Sequence, residues 1–267
     1  VRSRSPVPLP VPLPVPAAGR ARRTLAGTVT GSLVAALLGV ALATPAHAAL
    51  ADGLVLWYKL DDASGTVAAD SSGNGRNGTV VGTAGWGGTE GLAFDGSTTY
   101  VKTPDNPMNG LTSITVATDV WIDPAQAAPF FVYGFGNTTS WYGDGYLFAT
   151  GNAFRAGISD KNWTGEQTTD SGHNLARGGW KHLAYTQTGN TAILYEDGVE
   201  VARNTGVTIT PGSIGGGTTT ANYLGKSTYP GDNLLKGRLR DFRLYDRALD
   251  PTEVAHLAVT ASTQSLA

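Results

Sequence analysis

Cysteine is absent from the 267 residues, which excludes disulfides, thiol chemistry and cysteine-ligated metal sites. Methionine occurs once, as Met108. Charge is sparse at 15% of residues. No helical period is sustained anywhere before Asp250, so a helix bundle is excluded. The apolar run from Val29 to Leu42 is too short for a confident membrane span.

What is present begins with a segment that builds no core. Residues Pro6 to Pro16 repeat Val-Pro-Leu-Pro, which favours extended polyproline II. Arg20, Arg22 and Arg23 precede the apolar run, and Ala46-His47-Ala48 follows it. That order predicts a secretory signal with cleavage after Ala48. Arg22-Arg23 hints at twin-arginine export, although the general secretory route fits better. Five of the 19 basic residues lie in residues 1–48 and none of the 21 acids does. The remaining 14 basic residues leave a net charge of −7 on the mature chain. An acidic, weakly charged surface argues against nucleic acid or an anionic membrane as partner.

The mature chain reads as strand and turn. Leu54–Leu60, Ile114–Ile122, Trp180–Gln187 and Ala192–Tyr195 are β-branched or aromatic runs, and Leu92–Asp95 and Tyr100-Val101 flank a turn at Gly96-Ser97. In Ile114–Ile122 the residues Ile114, Val116, Thr118, Val120 and Ile122 share one face. Asp197-Gly198 between apolar runs is a hairpin signal. Phe242 and Leu244 alternate with Asp241, Arg243 and Tyr245 in a closing strand. Asp250-Pro251-Thr252-Glu253 then predicts one short helix with a capping box. This pattern predicts an all-β protein, a two-sheet antiparallel sandwich with one short C-terminal helix. The expected layout is leader over 1–48, one domain over 49–258 and a polar linker start over 259–267.

The order of these pieces resembles laminin G-like, concanavalin A-like jelly-roll modules. The resemblance rests on Leu54–Asp61 with Asp70-Ser-Ser-Gly-Asn-Gly75, Leu92–Gly96 with Tyr100-Val101, and Ile114–Trp121. It is completed by Trp180–Ala184 with Leu194–Gly198, and by Leu224-Gly225 with Gly237–Val254. It implies a jelly-roll fold whose loops bind sugars or proteins. In secreted bacterial proteins such modules are commonly attached to glycoside hydrolases, among them enzymes that remove arabinose from plant polysaccharides.

Catalysis is not expected of the residues themselves. Glycoside hydrolysis needs two carboxyl groups across one sugar bond, and no Glu-x-Asp-x-x-Glu strand is present. Asp61-Asp62 and Glu196-Asp197 are adjacent acids that strands send to opposite faces. His173, His182 and His256 have no metal-binding spacing, and His182 reads as a structural histidine. No Gly-x-Ser-x-Gly occurs.

Calcium is the metal the sequence allows. Asp70 and Asn74 offer oxygens in a glycine loop, with Asp95 and Asp241 as the acids to complete a set; the competing reading is an Asx turn at Asp70. The resemblance adds that some relatives hold calcium at such a loop.

For ligand binding, Trp141, Tyr142, Tyr146, Trp163 and Tyr229 sit among Gly, Asn, Asp and Thr and read as loop aromatics suited to sugar stacking. Trp57, Trp121 and Trp180 lie in apolar strands and read as core. The leader, the missing acid pair and the loop aromatics predict a secreted, non-catalytic polysaccharide-binding module; the resemblance implies that it is the targeting domain of a covalently linked arabinan or arabinoxylan hydrolase. A protein-binding adhesion module is the first alternative and a catalytic sandwich the second.

Overall fold

β-branched and aromatic runs separated by glycine turns become sixteen strands among the described residues. The computed structural model describes residues 50–137 and 145–264, with side chains through residue 260. The leader 1–48 lies outside them, and all described residues fall within one compact unit, 43–267.

In chain order the first eight strands are β1 (Leu54–Tyr58), β2 (Val67–Ala68), β3 (Gly78–Val81), β4 (Gly85–Trp86), β5 (Leu92–Asp95), β6 (Tyr100–Lys102), β7 (Ile114–Ile122) and β8 (Phe131–Gly136). The others are β9 (Tyr146–Thr150), β10 (Arg155–Ser159), β11 (Gln167–Asp170), β12 (Trp180–Thr188), β13 (Thr191–Glu196), β14 (Val199–Asn204), β15 (Ala221–Leu224) and β16 (Lys236–Tyr245). The first sheet runs β14-β13-β12-β7-β16-β5-β4, with β1 also on β16; the second runs β11-β10-β9-β8-β15-β6-β3-β2. Their pairings are antiparallel. The turn at Gly96-Ser97 therefore joins different sheets: β5 lies in the first and β6 in the second.

β16 organises the first sheet. Its first half pairs with β5 and its second half with β1, on the same side. The change comes at a bulge between Arg240 and Arg243, where Asp241 adopts φ +50° and donates its N–H to the Lys59 carbonyl. Between the sheets, alternate residues such as Val116, Val120, Leu183, Leu239, Phe242, Val132, Leu147 and Ile158 form the main core.

The short helix is α1 (Pro251–Gln264). Asp250 accepts from the N–H groups of Thr252 (2.7 Å) and Glu253 (2.9 Å), while Glu253 accepts from the Asp250 N–H at 2.9 Å. This is the expected capping box, and Arg247 grips the same Glu253 through two bonds of 2.8 Å. The helix packs Val254 and Leu257 over Ala117, Ala184, Tyr195 and Tyr245 on the outer face of the first sheet. It runs six residues past the expected boundary at 258.

Candidate functional site

The outer face of the second sheet carries the candidate site. Along β9, Leu147 and Ala149 point into the core, so Tyr146 and Phe148 point outward and join Phe131 in a separate aromatic cluster. Tyr146 stacks on Phe148 at 5.0 Å, and Phe131 meets Phe148 edge-on at 5.0 Å. Two glycines make room above this floor. A Cβ at Gly157 would fall 2.7 Å from the Glu166 carboxyl carbon and 2.8 Å from the Phe148 ring. One at Gly134 would fall 3.0 Å from the Lys226 carbonyl, which belongs to the β15–β16 connection crossing over that strand. That connection delivers Tyr229, edge-on to Tyr146 at 5.7 Å.

The β10–β11 connection delivers the other wall. Asn162 accepts from the Thr164 N–H at 3.0 Å and caps a single 3-10 turn, Trp163–Gly165. This turn holds the Trp163 indole 67% exposed, the most exposed large apolar side chain among the described residues. Glu166 follows and is fixed by three donors: the Tyr146 hydroxyl (2.7 Å), the Thr168 hydroxyl (2.9 Å) and Arg155. Arg155 also lies over the Phe148 ring at 4.8 Å. Burial, then the bond to Glu166, holds the Tyr146 hydroxyl far above the usual phenol range. The resulting cleft encloses 310 Å³, with Asp232 at its rim.

Three of the five expected ligand-binding residues, Tyr146, Trp163 and Tyr229, thus converge. Trp141 and Tyr142 lie outside the described residues. Tyr146 is not a loop residue, however: it begins β9 and is fully buried, so it forms floor rather than stacking surface. Sequence reasoning missed Arg155, Glu166, Phe148 and Phe131. Only the alternation of Arg155 with apolar Ala156 and Ile158 signalled an outward cation.

The tryptophans read as core are elsewhere. Trp57, Trp121 and Trp180 are half-buried and belong to neither main core cluster; all three stand on the outer face of the first sheet. A 500 Å³ cleft opens beside Trp57, but Lys59 (5.0 Å) and Arg243 (4.4 Å) already lie over that ring. Another cleft of 500 Å³, around Asp105, Asn106 and Asp246, has no aromatic wall. His182 is the expected structural histidine, its Nδ1 2.7 Å from buried Asp119.

The four residues expected to hold calcium do not form one site. Asp70 accepts from the N–H groups of Trp57, Ser72 and Arg76 and from the Ser72 hydroxyl, a true Asx turn. Burial pushes its carboxyl up, but those bonds outweigh it and hold the pKa below the ordinary value. Asn74 uses its amide to clasp the Leu54 and Val55 carbonyls. Asp95 accepts from Ser97, Thr98 and Thr99 and faces Lys236, whereas Asp241, five positions further along β16, is bound by Trp57 and Arg243. Among the described residues no group of three or more His, Asp or Glu side chains is arranged for a metal. With their oxygens occupied by N–H and O–H donors, these carboxylates do not fit calcium as the sequence suggested. Chelator is expected to leave the melting temperature unchanged, whereas Asp70→Ala lowers it by removing four bonds, three within its loop and one to β1. A thermal melt with and without EDTA checks both, and a fall on chelation alone would restore the metal.

Glu196 and Asp197 are likewise occupied. Glu196 contacts Lys181 (2.8 Å) and His173 (2.7 Å), and Asp197 contacts Lys181 at 2.7 Å from the hairpin turn.

A laminin G-type family model described as the concanavalin A-like lectin/glucanases superfamily matches residues 95–255. The chain belongs to that superfamily. No protein of curated function matches it by sequence. Domain 4 of AbnA, a GH43 extracellular arabinanase from Geobacillus stearothermophilus solved with arabinotriose, is similar in structure. The TM-score is 0.59 at 22% identity, covering 77% of this chain and 98% of that one. Trypanosoma rangeli sialidase gives a TM-score of 0.59 at 17% identity, covering 79% of this chain and 33% of that one. At these identities the likeness is one of fold.

Proposed function

We propose that the chain is a secreted, non-catalytic polysaccharide-binding module that targets a linked plant-polysaccharide hydrolase. The observation that carries this reading is the exposed Trp163 indole beside an aromatic floor, with Arg155, Glu166 and Asp232 around it. A sugar ring offers a C–H face to the indole and hydroxyls to the charged groups. The fold shared with an arabinanase domain solved with arabinotriose supports arabinan or arabinoxylan as target. Binding rather than hydrolysis is favoured because Glu166 is pinned by three donors and, among the described residues lining the cleft, Asp232 is the one other carboxylate.

Trp163→Ala is expected to cost about 1–3 kcal/mol of binding, the range for a stacking aromatic, and to leave stability nearly unchanged. Pull-down on insoluble arabinan, arabinoxylan and cellulose with both proteins checks it. A wild type that binds none of the three, or a variant that binds as well, ends this reading of the cleft.

A further inference from the structure

We propose that the chain carries a second site for neutral sugar, on the outer face of the first sheet, and engages polysaccharide from both sides of the sandwich. A cleft of 310 Å³, as large as the first, is lined there by Glu90, Trp121, Gly178, Gly179, Trp180 and Arg238. Its centre is one row across three strands. Trp180 on β12 pairs with Trp121 on β7, and Trp121 pairs with Arg238 on β16. Alternation sends these three side chains away from the core, whose adjacent positions are Val120, Ile122 and Leu239. Helix α1 packs over Ala117 and Ala184, four positions along the same strands.

The rings are held in place. The Arg240 guanidinium lies 4.2 Å over Trp180 and is itself anchored to buried Asp119 at 3.0 Å. The rim is open because Gly178 and Gly179 carry no side chain; a Cβ at Gly179 would meet nothing within 4 Å. Among the described residues Arg238 donates to the Glu90 carbonyl at 3.4 Å, and a guanidinium has five N–H groups, so the cleft wall shared with Glu90 has donors to offer ligand hydroxyls. Trp121 supplies the stacking surface, with Trp180, one face of it covered by Arg240, beside it; one cation and one anion supply the polar contacts, and their opposite charges favour a neutral sugar over a uronate.

The two clefts face opposite directions across sheets packed about 10 Å apart, so one short oligosaccharide reaches only one of them. A polymer, by contrast, is bridged between molecules or gripped twice. The sugar class rests on the reading of the first cleft, whereas the second cleft stands on its own geometry.

The test is calorimetry of the full chain with arabino-, xylo- and cello-oligosaccharides, and turbidity with soluble arabinoxylan. The wild type should bind two equivalents and cloud the polymer. Trp121→Ala and Trp163→Ala should each bind one equivalent, lose the turbidity and bind polymer at least about tenfold more weakly. Trp121→Phe, which keeps a ring in the row, serves where the alanine variant does not fold and should retain two equivalents with weaker affinity. If Trp163→Ala alone abolishes all binding and Trp121→Ala changes nothing, the second site is overturned and the first stands. If the wild type binds no sugar but Trp121→Ala abolishes capture of a protein ligand, both sugar readings fall.

Discussion

Asp119→Ala is expected to destabilise the protein by about 3–5 kcal/mol, the range for breaking a buried ion pair on one side. Asp119 is 2% exposed, with one oxygen 2.7 Å from His182 Nδ1 and the other 3.0 Å from Arg240 Nε. Both partners are themselves at most 5% exposed. The substitution takes the carboxylate from a buried guanidinium and a buried imidazole at once, and water cannot replace it without displacing the side chains that bury the pair. Asp119→Asn keeps one acceptor and should lose less. Urea denaturation at neutral pH reads both. A loss below about 1 kcal/mol would show that the site hydrates instead, since exposed pairs contribute only that much. Because Arg240 also seats the Trp180 ring, the same variant should loosen the second cleft while leaving Trp163 untouched.

Where a strand sends apolar residues to the core and small or polar ones to its other side, the sequence is readable. Ile114, Val116, Val120 and Ile122 take the core side of β7 although every residue of that strand but Trp121 is buried, Phe242 and Leu244 do the same in β16, Asp197-Gly198 adopts the positive φ values of a hairpin turn, and Asp250 caps as its neighbours imply. Where apolar residues occupy both sides, alternation disappears. Phe131–Gly136 and Tyr146–Thr150 are buried at every residue, since the β15–β16 connection covers their outer face. The start of β9 therefore read as loop, and Tyr146 as exposed.

Trp121 shows the opposite error. Its parity already placed it across from Ile114, Val116 and Ile122, but an apolar strand suggested core; the ring stands half-buried on the outer face, lining one cleft with Arg238. The acids were misread for a third reason. Asp70 is saturated by donors at positions 57, 72 and 76, and no local spacing reveals a donor thirteen residues upstream.

Phe242→Ala is expected to cost about 3–5 kcal/mol, as for other buried phenylalanines, through lost burial and the cavity left behind. Phe242 is fully buried and its ring joins the sheets: Tyr58 of β1 lies at 6.5 Å, and Tyr133 and Phe135 of β8 at 6.1 and 6.0 Å. Few neighbours can collapse into the space, because each of those rings is held by its own strand. For a domain of this size about 1 kcal/mol shifts the melting temperature by roughly 2–4 °C, so a fall of about 6–20 °C is expected. Binding should behave differently. The cleft at Trp163 lies on the outer face of the second sheet, so a Phe242→Ala protein kept cold enough to stay folded should still bind polysaccharide. Trp163→Ala should show the converse, full stability with weakened binding. Melting curves and pull-downs on both variants separate packing from recognition. If folded Phe242→Ala fails to bind, the aromatic floor of the cleft depends on the packing between the sheets, and the two functions of this sandwich are coupled through β8 and β9.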